Sequence, residues 1–211
     1  MSSRPLVLAF DTSAAHCAAL LLWGGDILAH KHEEMAKGQV ERLFPLLEEV
    51  LSLGNSSWSD LDAIGVCTGP GNFTGVRIAV SSARGLSLSL GIPAIGVTML
   101  EALAHGQTGH STSVLDARRH RLFVQDFVDG TAAGAPGLIE LEKLDLRDAQ
   151  INSTAPLSIP CAAQHIPQAP VKAVAQIAAQ RLGLKNPRPA PLYLRAPNAA
   201  LPTEQPPPLL P

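Results

Sequence analysis

Asp11, Thr12 and Ser13 form the best polar constellation in this sequence. They follow a short apolar run, Leu6 to Phe10, so a carboxylate and two hydroxyls meet at the end of a strand. Two readings stay open for them: a set that holds phosphate and its magnesium, or a plain strand-ending turn. A second stretch, Thr68-Gly-Pro-Gly-Asn-Phe-Thr-Gly-Val-Arg77, gathers Gly69, Pro70, Gly71 and Gly75 between an apolar strand and a long helix. Glycine allows unusual backbone angles and close approach, and a helix start offers free N–H groups to an anion. The common nucleotide loops do not fit. No Gly-Lys-Ser/Thr closes the stretch as a Walker loop requires, and the gap from Gly71 to Gly75 is one residue too long for the dinucleotide fingerprint.

Other chemistry is sparse. The seven histidines are His16, His30, His32, His105, His110, His120 and His165, and no two lie four apart as a helical zinc site needs. His30 and His32 share a strand face, an arrangement that can hold a metal but more often is a solvated face, and they read as solvated. No G-x-S-x-G elbow occurs. Asp116-Ala-Arg118 is open between a functional pair and a strand-end salt bridge. Three cysteines lie far apart, without metal-ligand spacing. The sequence therefore predicts no catalytic constellation and no metal site.

The elements that position these residues follow from periodicity. Leu6–Phe10, Ala18–Trp23 and Ile27–His32 read as strands, with Gly24-Gly25-Asp26 as a hairpin turn. Gln39 to Leu53 has helical spacing, with Pro45 inside it, so a kink or a weak first turn is expected. Ala63–Cys67 reads as a strand, Val76–Leu90 as a helix capped by Asn72 or Thr74, and Ala94–Val97 as a strand. Thr98 and Glu101 make a capping box for a helix to about Ala104. The order β-β-β-α-β-α-β-α predicts an α/β fold with a mixed sheet. The helix after the glycine stretch is unusual. Ser81, Gly85 and Ser89 recur every four residues on one face, which suits close packing in the protein's own core or against another subunit.

Beyond residue 110, Ser113–Leu115, Leu122–Phe127 and Leu138–Leu141 read as strands and Pro170–Leu184 as an amphipathic helix; residues 145–165 give no clear pattern. The last 25 residues hold nine of the 18 prolines, so disorder is expected past about Asn198, with Leu192-Tyr-Leu194 as a docking segment. The organisation expected is 1–108 as a partner-binding N-terminal lobe, 109–196 as a smaller C-terminal lobe, and 197–211 as a Pro-rich tail. With 46% hydrophobic residues, the 211-residue chain can bury a sizeable core. A net charge of −2 supplies no global pull on nucleic acid, so a partner is expected to supply basic surface for any RNA. No signal peptide or membrane span is read, and a cytoplasmic location is expected.

Four stretches resemble the bacterial TsaB family, the dimerisation subunit of the tRNA threonylcarbamoyladenosine complex: Leu8-Ala-Phe-Asp-Thr-Ser13, Gly69-Pro-Gly-Asn-Phe-Thr-Gly-Val-Arg-Ile78, Gly91-Ile-Pro-Ala-Ile-Gly-Val97 and Asp116-Ala-Arg118. Pro191-Leu-Tyr-Leu-Arg195 resembles the family's closing segment. The resemblance implies an α/β fold of the ASKHA (actin-like ATPase, ribonuclease-H-like) type, two lobes with mixed sheets flanked by helices. In sugar-kinase, actin and Hsp70 folds an Asp followed by small hydroxyl residues meets phosphate and magnesium, so Asp11, Thr12 and Ser13 are expected to be a vestigial phosphate site. The resemblance also implies a non-catalytic subunit. Its partners would be a TsaD-like transferase, which carries the ATP and metal ion, and a TsaE-like ATPase, with tRNA reached through the complex and a homodimer as the substitute state alone. The expected partner face is Val40, Phe44, Leu47, Arg77, Ser81, Arg84, Gly85 and Leu88, beside the loop glycines Gly69, Gly71 and Gly75. The catalytic homologue's metal-binding His-x-x-x-His has no counterpart in Met35-Ala-Lys-Gly-Gln39. This argues against peptidase or transferase activity in this chain alone. An ATP-binding phosphotransferase or ATPase that uses Asp11 and Thr12 is the alternative.

Overall fold

A computed structural model describes residues 4–144, 150–154, 164–165 and 170–195. The first sheet holds β1 (Leu6–Asp11), β2 (His16–Trp23), β3 (Asp26–Glu34), β4 (Ala63–Cys67) and β5 (Ala94–Val97), in the order β3-β2-β1-β4-β5. β1, β2 and β3 are antiparallel neighbours, while β4 and β5 run parallel to β1. The connections dictate this: a two-residue turn at Gly24-Gly25 returns the chain antiparallel, whereas a parallel neighbour needs a crossover, supplied by α1 (Gln39–Leu53) and α2 (Phe73–Leu90).

β1 and β4 are buried along their whole length, as strands covered on both faces must be. Alternate residues serve the two sides. Leu8, Phe10, Ile64 and Val66 meet Leu43, Leu47 and Val50 of α1 and Ala79 and Ala83 of α2. Val7, Ala9 and Ala63 face the other way, toward α4 (Val171–Arg181). Each of the larger of these side chains, the Leu, Ile, Val and Phe, contributes about 1.5–3 kcal/mol when fully buried. α1 runs uninterrupted through Pro45, and its first turn is closed by the Arg42 N–H on the Gly38 carbonyl at 3.0 Å. The carbonyl that Pro45 leaves unpaired belongs to exposed Glu41, where water can satisfy it.

α3 (Met99–Ala104) leads to the second sheet: β6 (His110–Asp116), β7 (Arg121–Val128), β8 (Thr131–Ala132), β9 (Gly137–Glu140), β10 (Gln150–Ser153) and β11 (Gln164–His165). Its order is β11-β10-β6-β7-β8, with β9 also on β7, and it mixes parallel β6–β10–β11 with antiparallel β6–β7 pairing. β10 and β11 fall in the span that gives no clear sequence pattern. α4, expected with the smaller C-terminal lobe, packs on the first sheet, and Arg181 ties it to Glu101 of α3 at 2.6 Å. Two mixed sheets flanked by helices make the α/β architecture of the ASKHA type. The expected tail, 197–211, lies outside the described residues; in the expected docking segment before it, the Leu192 N–H donates to the Thr68 carbonyl at 2.9 Å.

Candidate functional site

The strand-ending triplet and the glycine stretch are one site. Thr12 Oγ1 donates to the Gly75 carbonyl at 2.7 Å, and the Ser13 carbonyl accepts from the Asn72 N–H at 2.6 Å. A Cβ on Gly75 would sit 1.9 Å from the Thr12 carbonyl oxygen, and one on Gly71 2.3 Å from that of Ser13. These two glycines let backbone meet backbone. Gly69 has φ 86, a left-handed angle that glycine takes without strain. Asn72, one of the two expected caps, accepts from the N–H groups of Thr74 and Gly75. Those donors are therefore taken by the protein itself.

Asp11, Thr12 and Ser13 are buried, at most 2% exposed. Asp11 Oδ1 accepts from the Ser13 N–H at 2.7 Å, and Oδ2 lies 2.9 Å from His16 Nε2. Burial pushes the Asp11 carboxyl up, but the His16 hydrogen bond and charge, with the Ser13 N–H, outweigh it and hold it below the ordinary value. Burial pushes His16 down, but its hydrogen bond and charge interaction with Asp11, with help from Glu34, hold it above. The pair is an internal ion pair, and sequence reading gave His16 no role. The signal available was a histidine five residues after Asp11, on the far side of the short turn that joins β1 to β2. Cys67 lies 3.7 Å from Ser13 Oγ, and burial keeps its thiol well above the usual range. Cys17 is pushed up, by burial first, to about 11. Neither is an activated nucleophile. Among the described residues no group of three or more His, Cys, Asp or Glu could hold a metal. His32 turns to Glu34 at 2.8 Å, and Asp116 accepts from the Arg118 backbone N–H.

The second feature is an outward helix pair. Of the small-residue helix, Gly75, Val76, Ala79, Val80 and Ala83 are buried, whereas Arg77, Ser81, Arg84, Gly85 and Leu88 face out, Leu88 at 86% exposure. The Ser81–Gly85–Ser89 stripe is thus not used by this chain's own core, and a Cβ on Gly85 meets nothing within 4 Å. Val40 and Phe44 of α1 are also exposed. Leu47 is a correction: expected on this face, it is fully buried with Leu43, Leu46 and Val50 against the sheet. The Arg42 guanidinium fixes the pose of α1 on β3, gripping Glu33 and Glu49 at 2.6–2.7 Å. The face also continues onto residues not foreseen. Phe73 and Tyr193 are about half-exposed, Arg77 Nε donates to Tyr193 Oη at 2.8 Å, and the guanidinium lies 3.8 Å over the Phe73 ring. The sequence separation of 116 between Arg77 and Tyr193 hides that contact from any local pattern.

The fold and site define an ASKHA-type α/β protein whose glycine loop is closed onto its own strand end and whose α1–α2 pair faces outward. A family model described as TsaD, tRNA N6-adenosine threonylcarbamoyltransferase, matches residues 29–152. The chain is 33% identical to Escherichia coli "tRNA threonylcarbamoyladenosine biosynthesis protein TsaB" over 57% of its own length and 54% of the relative's. It is 32% identical to an uncharacterized protein of Mycobacterium tuberculosis over 92% and 93% of the two lengths. The solved structure of YeaZ from Pseudomonas aeruginosa superposes with a TM-score of 0.74 at 25% identity, covering 90% of this chain and all of that one. The chain belongs to the TsaB family. It spans about half the length of the curated TsaB proteins it matches in Escherichia coli and Haemophilus influenzae.

Proposed function

We propose that this protein is a non-catalytic subunit that pairs with and supports a TsaD-like transferase in making N6-threonylcarbamoyladenosine on tRNA. The observation that carries the reading is the α2 face, a solvent-exposed stripe of small residues with Leu88 at one end and the Phe73–Arg77–Tyr193 cluster at the other. Small residues let a second helix approach closely, and aromatic and arginine anchors concentrate binding energy. Relatives named for threonylcarbamoyladenosine biosynthesis supply the pathway. ATP and a metal ion belong to the partner in this reading, a TsaE-like ATPase joins the assembly, and the work is cytoplasmic. Among the described residues no helix is long and apolar enough to cross a membrane.

The alternative, an ATP-binding phosphotransferase or ATPase, needs Asp11 and Thr12 to face a ligand. Both are buried, with their side-chain oxygens committed inside the protein. Gly85→Leu tests the proposal. Its side chain has open space, so the fold is retained, while affinity for the TsaD-like partner falls at least tenfold by titration calorimetry. An unchanged affinity rules out this face.

A further inference from the structure

We infer that the tip of the β6–β7 hairpin is a contact site for the phosphate backbone of an RNA. The inference rests on the tRNA-modifying role proposed above and goes beyond it, because that role reaches RNA only through the partner.

The tip is built at a cost. Arg118, Arg119 and His120 are consecutive residues with φ of 61, 55 and 54. Left-handed backbone is unfavourable for any residue with a Cβ, and turns that need it ordinarily use Gly or Asn. Strain of this kind persists where the surroundings over-determine it, and here they do. Asp116 Oδ1 accepts from the Arg118 N–H at 2.7 Å, the Ala117 N–H donates to the Arg121 carbonyl at 2.9 Å, and the Leu141 N–H donates to the His120 carbonyl at 2.8 Å. The Arg195 guanidinium braces the Ala117 carbonyl. Backbone atoms are thus held from several sides while Arg118, Arg119 and His120 project into solvent. Among the described residues no ion pair or side-chain hydrogen bond engages the guanidiniums of Arg118, Arg119 or Arg121.

Four positive side chains, Arg118, Arg119, Arg121 and Lys143, stand against three carboxylates, Asp116, Glu140 and Glu142, so the tip carries a net charge of +1 in a chain whose net charge is −2. Arg119, His120 and Arg121 share an open depression with Glu140 and Glu142, and Lys143 neutralises Glu140 at 3.1 Å. The exposed large apolar side chains among the described residues lie elsewhere, on β2, β3, α1, α2 and the segment after α4. A protein partner would use such anchors. Guanidiniums without them suit sequence-independent phosphate contacts. The position fits as well. Tyr193 touches α2 at the partner face and Arg195 touches the tip, so two residues of chain, roughly 7 Å, separate the two surfaces.

The test measures binding of an unmodified tRNA transcript by fluorescence anisotropy across a salt series, for the full chain alone and for its complex with the TsaD-like partner. Changing Arg118, Arg119 and Arg121 together to Ala is expected to weaken binding about tenfold and to lower the slope of log K against log salt by about 2–3, near one per lost phosphate contact. Changing the same three to Lys keeps the charge and is expected to stay within about threefold of wild type. Unchanged affinity and slope in the Ala variant overturn the inference. So does an equal loss in both variants, which marks a role for loop shape alone, and so does a wild-type protein that binds no transcript in either form. Light scattering on the same samples before RNA is added reads assembly separately. Failure to pair therefore counts against the proposed role, while the measurement on the chain alone still decides the RNA contact.

Discussion

At Gly75 a single hydrogen separates two backbones, since a Cβ there would overlap the Thr12 carbonyl oxygen. Backbone cannot step aside as a side-chain tip can, so Gly75→Ala is expected to cost at least the roughly 1–3 kcal/mol of core overpacking. Denaturant unfolding checks this, and Gly85→Ala, in open space, is the control. The Asp11–His16 pair makes a second prediction. His16 is held above its ordinary 6.5, so its stabilisation is complete below that pH and is lost as pH rises through the higher folded value. Asp11 is held below 3.8, so its share is present above 3.8 and is lost as pH falls through the lower folded value. Thermal melting should therefore show stability declining as the pH rises above 6.5, and His16→Gln should flatten that decline. A variant with the wild-type slope would show that the pair is not the source. Sequence named Asp11 and the three glycines but not their shared purpose. The contact depends on how the β1 end and the loop after β4 sit side by side, which no local spacing encodes.

The elements themselves were largely legible. α1 has the expected bounds, and α2 starts three residues before the periodic run because Asn72 caps it at Phe73. The Thr98–Glu101 capping box is formed in both directions, at 3.0 and 2.8 Å. Thr98→Ala should cost about 1 kcal/mol, read as a lower urea midpoint at constant m. β10 and β11 were not legible, since strands of four and two residues leave too few positions for alternation to register. Leu47 shows the limit of helical reasoning. It lies seven residues from exposed Val40 and so points in nearly the same direction. Val40 sits in the first turn, however, while Leu47 lies over the sheet. Periodicity gives a direction around the axis and not what stands opposite at each height.

At the scale of the whole molecule, the closed loop and the open helix face point the same way. The strand-end carboxylate that could have met a phosphate is consumed internally, while the apolar and small-residue surface lies outside on α1 and α2. This is the arrangement that the proposed partner-supporting role requires. In the absence of a partner, the same face is expected to form a homodimer at high concentration, which Gly85→Leu should shift to monomer by sedimentation. The most direct test is size-exclusion chromatography with light scattering of this chain mixed with its organism's TsaD-like protein, with and without ATP. A stable one-to-one complex that gains transferase activity is expected, with no nucleotide turnover by this chain alone. No complex, together with nucleotide turnover by the isolated chain that Asp11→Asn abolishes, would contradict it.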